Sequence, residues 1–232
     1  MALFCWDATL TWRQLGYWED SHVLFEHAVQ VTEGNYVADT ILGDLYHAHG
    51  EPDKAMGLLK EALRANPDFV PAVELLKTWQ CDQDVALGKQ LLRQKMLDEA
   101  LLHFLTAEKL RHGNVDAHYS SGVIYKYKGR LEDAERELRV ALYLKPDSYQ
   151  ARRFLAYTLN DDGQSDAAMR EFETSVKQHP DSFDAHSDMA MALAKAGRRK
   201  ESIEQFKLAL QLRPGDPNTT RHLAELEGAE VH

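Results

Sequence analysis

The chain has 232 residues, 44% hydrophobic and 28% charged, with 7 Pro and 13 Gly, which supplies a core and excludes collagen-like or disordered chains. Its 27 Lys and Arg against 37 Asp and Glu leave a net charge of −10, so phosphate backbones and anionic lipid headgroups repel it and nucleic acid is not an expected partner. Cys5 and Cys81 are too few for a disulfide framework or a zinc site of their own. No stretch approaches the ~18 apolar residues of a membrane span, and Met1 to Trp6, broken by Asp7, makes a poor signal peptide. The default expectation is a soluble cytoplasmic chain.

In chain order, the residues fall into segments of one period. Residues 2–35 carry Gly16, Ser21, Phe25 and Ala28, and 36–69 carry Gly50, Ala55, Leu59, Ala62 and Pro67. Segment 81–114 follows, with Lys95 where the others place glycine and His112 where the others place proline, as Glu33 does in the first. In 115–148, 149–182 and 183–216 the columns are in full register. Gly129, Gly163 and Gly197 recur every 34 residues, as do Pro146, Pro180 and Pro214. Ala134, Ala168 and Ser202 keep the same spacing, and so do Leu138, Phe172 and Phe206.

Each column has a physical reason. Glycine ends a first helix in a left-handed turn, where a Cβ is penalised. The small residue lets the second helix approach, and the large apolar residue one turn later fills the gap. Proline closes the second helix. Six helical hairpins are predicted, forming an all-α right-handed solenoid over residues 1–232. Leu223 and Leu226, after Pro217, mark a capping helix over 217–228, as a solenoid end requires.

Residues 70–80 are extra. Ala72, Leu75, Leu76 and Trp79 lie at helical spacing, so this insertion is predicted to be an amphipathic helix. Either it lengthens the following first helix by about three turns, or Asp82 caps a new helix after a break. Its stripe of Leu75, Leu76 and Trp79 either packs on its neighbours or forms an association surface, in which case a homodimer results.

Leu42, Gly43 and Tyr46 followed by Ala55 and Pro67 resemble the tetratricopeptide repeat pattern, as do Gly122, Tyr125, Ala134 and Pro146. The tryptophan column of that family is degenerate here, holding Cys5, Asp39, Asp84, His118, Arg152 and His186. The resemblance implies a protein–protein interaction scaffold or adaptor. A second resemblance covers Thr11-Trp12-Arg13-Gln14-Leu15-Gly16-Tyr17-Trp18-Glu19-Asp20-Ser21, then Leu24, Phe25, His27, Ala28, Thr32, Asn35 and Tyr36. It is similar to bacterial repeat proteins whose repeats follow a membrane part resembling protein O-mannosyltransferases. That resemblance implies membrane tethering through a preceding part, and Trp6, Trp12 and Trp18 suit a bilayer interface.

The first helices of such hairpins line a groove. Repeat positions 2, 5, 9, 12 and 13 are expected to face it, including Val85, Lys89, Leu92 and Arg93 in the third repeat. The fourth contributes Tyr119, Val123, Lys126 and Tyr127, and the fifth Arg153, Tyr157, Asn160 and Asp161. Lys89, Arg93, Lys126 and Arg153 with Tyr119, Tyr127 and Tyr157 form the expected binding site. Its partner would be a protein or peptide with an acidic or C-terminal segment. A carboxylate clamp of the type some family members use is not expected, because no Asn stands at position 9. No two of the 11 His fall four apart, so no metal site is expected, and no cofactor loop or nucleophile elbow points to an enzyme.

Overall fold

The structure is a computed structural model that describes residues 21–228. The expectations placed on Cys5, Trp6, Trp12, Gly16 and Trp18, and most of the second resemblance, lie outside the described residues. Twelve helices and no strand occur among the described residues. They are α1 (Ser21–Val31), α2 (Tyr36–Ala48), α3 (Pro52–Ala65), α4 (Val70–Arg93), α5 (Leu97–Leu110) and α6 (Val115–Tyr127), then α7 (Leu131–Leu144), α8 (Tyr149–Asp161), α9 (Ser165–Gln178), α10 (Phe183–Lys195), α11 (Arg199–Leu212) and α12 (Pro217–Gly228). The internal contacts gather in two compact units, Met1–Asp82 and Gln83–His232. The boundary falls within α4, which runs unbroken for 24 residues. Asp82 therefore starts no new helix, and segment 70–80 is continuous with the third repeat's first helix.

Local chemistry explains the helix limits. Four first helices start on a side-chain cap that accepts from a backbone N–H three residues on: Asn35 on α2, Asn114 on α6, Ser148 on α8 and Ser182 on α10. The second helices α3, α5, α7, α9 and α11 have no such cap. They are entered through a tight left-handed turn, at Gly129 with φ 72° for example. Among the described residues, Lys95 alone makes this turn with a Cβ, at φ 64°. Lys95→Gly is therefore expected to stabilise the second unit by about 1 kcal/mol. The check is a higher urea midpoint at an unchanged slope; an unaltered midpoint would show that the turn carries no strain.

In the first unit, Ala55, Leu59, Ala62, Ala72 and Trp79 form the core. Leu75 and Leu76 pack against it, and the Trp79 indole stacks on His47 at 4.4 Å between ring centroids. The stripe of the insertion thus packs on its own neighbours. In the second unit, Leu138, Leu155, Leu159, Phe172 and Leu193 form a continuous cluster. The column of large residues, Phe104, Leu138, Phe172 and Phe206, is buried throughout, as is the small column of Ala100, Ala134, Ala168 and Ser202. The helices approach so closely at Gly122 that a Cβ there would lie 2.7 Å from Leu138 Cγ.

Candidate functional site

The second unit presents two constellations. One lies on the first-helix face and the other between helices, at the degenerate tryptophan column.

On the first-helix face three of the four expected cations are held by a carboxylate one repeat further on. Lys89 Nζ lies 2.6 Å from Asp116 Oδ2, and Lys126 Nζ lies 2.7 Å from Asp161 Oδ2. Arg153 donates from Nη2 to Asp188 Oδ1 at 2.9 Å, while its Nε approaches Oδ2 at 2.5 Å. Asp188 also accepts from Tyr157 at 2.6 Å and from Tyr149 at 3.0 Å. This carboxylate is buried, so it is a fixed hub for three donors drawn from α8. Burial, reinforced by Asp188, pushes the Tyr157 hydroxyl up to about 12 and Tyr149 higher still, so both stay protonated donors. Burial alone would lower the Arg153 pKa, but its hydrogen bond and charge attraction to Asp188 raise it.

Of the remaining expected residues, Tyr119 is half-buried and packs edge-on against Phe154, with ring centroids 5.7 Å apart. Tyr127 and Arg93 are exposed. Val85 and Val123, expected to face the groove, are buried instead. Beside the Asp188 hub, α8, α10 and α12 surround a cavity of about 470 Å³. Tyr157, Asn160, Met191, Lys195 and Leu226 line it, with Phe172 and Phe206 deeper among the second helices. Sequence reasoning placed only Tyr157 and Asn160 of these on the groove; it read Phe172 and Phe206 as core and Leu226 as cap, because the sixth repeat and the capping helix carried no charge pattern to mark them.

The second constellation is a ladder of polar pairs. Asp84, His118, Arg152 and His186 occupy the column that holds tryptophan in the family pattern. Each contacts a residue 19 positions later on the second helix: His103, Glu137, Glu171 and Gln205, at 2.7, 2.8, 2.7 and 2.7 Å. Three of them also reach back six residues to a turn carbonyl, His118 to His112, Arg152 to Pro146 and His186 to Pro180. The degenerate column is thus a polar strut repeated at the same period. The signal was legible as a second column, His103, Glu137, Glu171 and Gln205, in register with the first.

At His118 the strut carries one acidic group more. Ser121 donates to Glu108 Oε1 at 2.6 Å, and that oxygen lies 3.9 Å from His118 Nδ1. Burial raises the Glu108 pKa against the opposing Ser121 hydrogen bond. The Glu137 hydrogen bond raises that of His118, and the same bond lowers that of Glu137.

Capped first helices, left-handed turns and an inner column of small residues define a stack of helical hairpins, the architecture of a repeat scaffold. Over residues 115–148 and 155–217 the sequence matches the family described as tetratricopeptide repeat. Comparison with curated protein sequences gives no match. Among solved structures, the chain is similar to YrrB, a TPR protein with an unusual peptide-binding site. The two share 20% identity over 87% of this chain and 97% of that one, with a TM-score of 0.55. It is also similar to TTC0263, a thermophilic TPR protein of Thermus thermophilus, at 20% identity over 83% and 98% and a TM-score of 0.53. Pseudomonas aeruginosa pilF is 18% identical over 84% and 85%, with a TM-score of 0.55. At these identities the likeness establishes the fold: an all-α solenoid of the tetratricopeptide type.

Proposed function

We propose that this chain is a non-catalytic scaffold or adaptor that binds an extended peptide segment of another protein along the first-helix face of its second unit. The observation that supports this reading is the adjacency of a rigid polar hub to an apolar cavity. Tyr157 belongs to both: its hydroxyl is fixed on Asp188 and its ring lines the 470 Å³ space. A hollow of that size accepts one large apolar side chain, while amide and lysine groups at Asn160 and Lys195 meet the backbone or an acidic flank. Lys89, half-exposed in its ion pair, and the more deeply set Lys126 would exchange Asp116 and Asp161 for carboxylates of an acidic or C-terminal segment.

The test uses a random peptide display library selected on the full chain, with the best peptide titrated by calorimetry. Met191→Asp should weaken binding by about 30-fold, the scale of a 2 kcal/mol hot spot. Lys126→Glu should weaken it less, with the difference fading at high salt. Arg153 is a poor target for charge reversal, since a glutamate there would face Asp188. Peptides bound equally by wild type and Met191→Asp would remove the cavity from the reading.

A second reading rests on the resemblance over Thr11 to Tyr36. In it, this chain is the substrate-presenting or regulatory domain of a membrane glycosyltransferase-like protein. No helix among the described residues is long and apolar enough to cross a membrane. Apolar spans encoded directly upstream in the reading frame would favour it over the free adaptor.

A further inference from the structure

We propose that Glu108, His118 and Glu137 bind a single divalent transition-metal ion, zinc foremost, in the interior of the second unit. The three side chains come from α5, α6 and α7, each belongs to a buried residue, and their ligand atoms all lie within 4.8 Å of one another. One imidazole nitrogen and two carboxylates are a donor set that suits zinc and its neighbours.

The periodic ladder shows why this rung differs from the others. One repeat later, Arg152 faces Glu171, and the position equivalent to Glu108 is Leu142: one cation against one anion. Two repeats later, His186 faces the neutral Gln205, and the equivalent position is Val176. Only at His118 do two buried carboxylates meet one imidazole. A protonated His118 balances one of them, and Arg136, 3.3 Å from Glu137 but shared with Asp133, balances the other only in part, in a place where an uncompensated charge is expensive. A divalent ion in place of the His118 proton balances both.

The supporting contacts fit this role. The His112 carbonyl can only accept, so His118 Nε2 carries the hydrogen of that 3.0 Å bond, which points Nδ1 at both carboxylates. Ser121 orients Glu108 at 2.6 Å, and Arg136 Nε donates to Glu137 Oε1 at 3.3 Å. Each ligand therefore has an outer partner, as protein metal ligands do. The Nδ1 separations of 2.8 Å to Glu137 and 3.9 Å to Glu108 bracket the roughly 3.4 Å edge of a tetrahedron with ~2.1 Å bonds, and the third edge, between the two carboxylates, is no longer than 4.8 Å.

The experiment titrates zinc by calorimetry, and cobalt by its visible absorption, into the full chain stripped with a chelator. One ion per chain is expected, with a rise in the thermal midpoint. Ser121→Ala should weaken binding by about 10-fold or more. Glu108→Leu copies the next repeat and removes the unbalanced carboxylate, so it should keep its helicity and its stability while losing the ion and the zinc-induced rise. His118→Gln should also lose the ion. A stripped chain that takes up no zinc or cobalt overturns the proposal. So does uptake that survives in both Glu108→Leu and His118→Gln, which would place the metal on exposed histidines.

Discussion

Ala134→Asp should lower the stability of the second unit by about 4 kcal/mol or more, a fall of roughly 10 °C in thermal midpoint for a unit of this size. Ala134 is fully buried, where α7 meets α6, and its carbonyl would lie only 3.3 Å from a Cβ built on Gly122. No cation stands in this small-residue column, so the carboxylate would have to be buried unpaired or protonated at neutral pH. Its position in the first turn of α7 returns only a few tenths of a kcal/mol through the helix dipole. Because a hairpin stack is held by nearest-neighbour contacts, breaking a middle repeat should also split the unfolding into separate transitions. Ala134→Ser is the control. In the sixth repeat the same column holds Ser202, whose hydroxyl donates to the Ala190 carbonyl 12 residues earlier at 2.7 Å. The corresponding carbonyl for residue 134 is that of Gly122, so serine there should stay within about 1 kcal/mol of wild type. Calorimetric scans decide: superimposable scans for wild type and Ala134→Asp would mean that the column is not packed as described.

Much of the fold was legible because its physics is periodic. Glycine at 129, 163 and 197 and large apolar side chains at 138, 172 and 206 recur with the helix pair that needs them. The helices start accordingly, at Val115, Tyr149 and Phe183. What escaped was pairwise. His118 has no partner within its own helix, and a search for ligands stacked one turn apart cannot find Glu108 and Glu137, which arrive from two other helices. The cations Lys89, Lys126 and Arg153 were visible, but the carboxylates that hold them lie 27, 35 and 35 residues away, on the following repeat. Asp188 in particular carried no mark in the sequence, since its meaning depends on three donors from α8. The insertion was ambiguous for another reason: eleven residues return almost to the starting helical phase. Periodicity alone could not separate one long helix from two.

Asp188→Ala should cost the second unit about 2–4 kcal/mol, the range for breaking a buried pair less a discount for solvent, since Arg153 is 39% exposed. The substitution leaves the Arg153 guanidinium and the hydroxyls of Tyr149 and Tyr157 without their shared acceptor, and two of these three are largely withdrawn from water. Asp188→Asn keeps an acceptor oxygen but loses the charge, so it should fall between the two. A second comparison isolates the charge: Arg153→Met in the Asp188→Ala background should recover part of the loss, because the uncompensated cation is then absent and its aliphatic volume is retained. Chemical denaturation of wild type, Asp188→Ala, Arg153→Met and the double variant gives the coupling. The same series reports on binding, since the Tyr157 ring is held at the cavity wall by the hydroxyl that Asp188 accepts from. Asp188→Ala should therefore weaken a cavity-seated peptide even at temperatures where the chain is fully folded, whereas a peptide that ignores the substitution would have to bind away from α8.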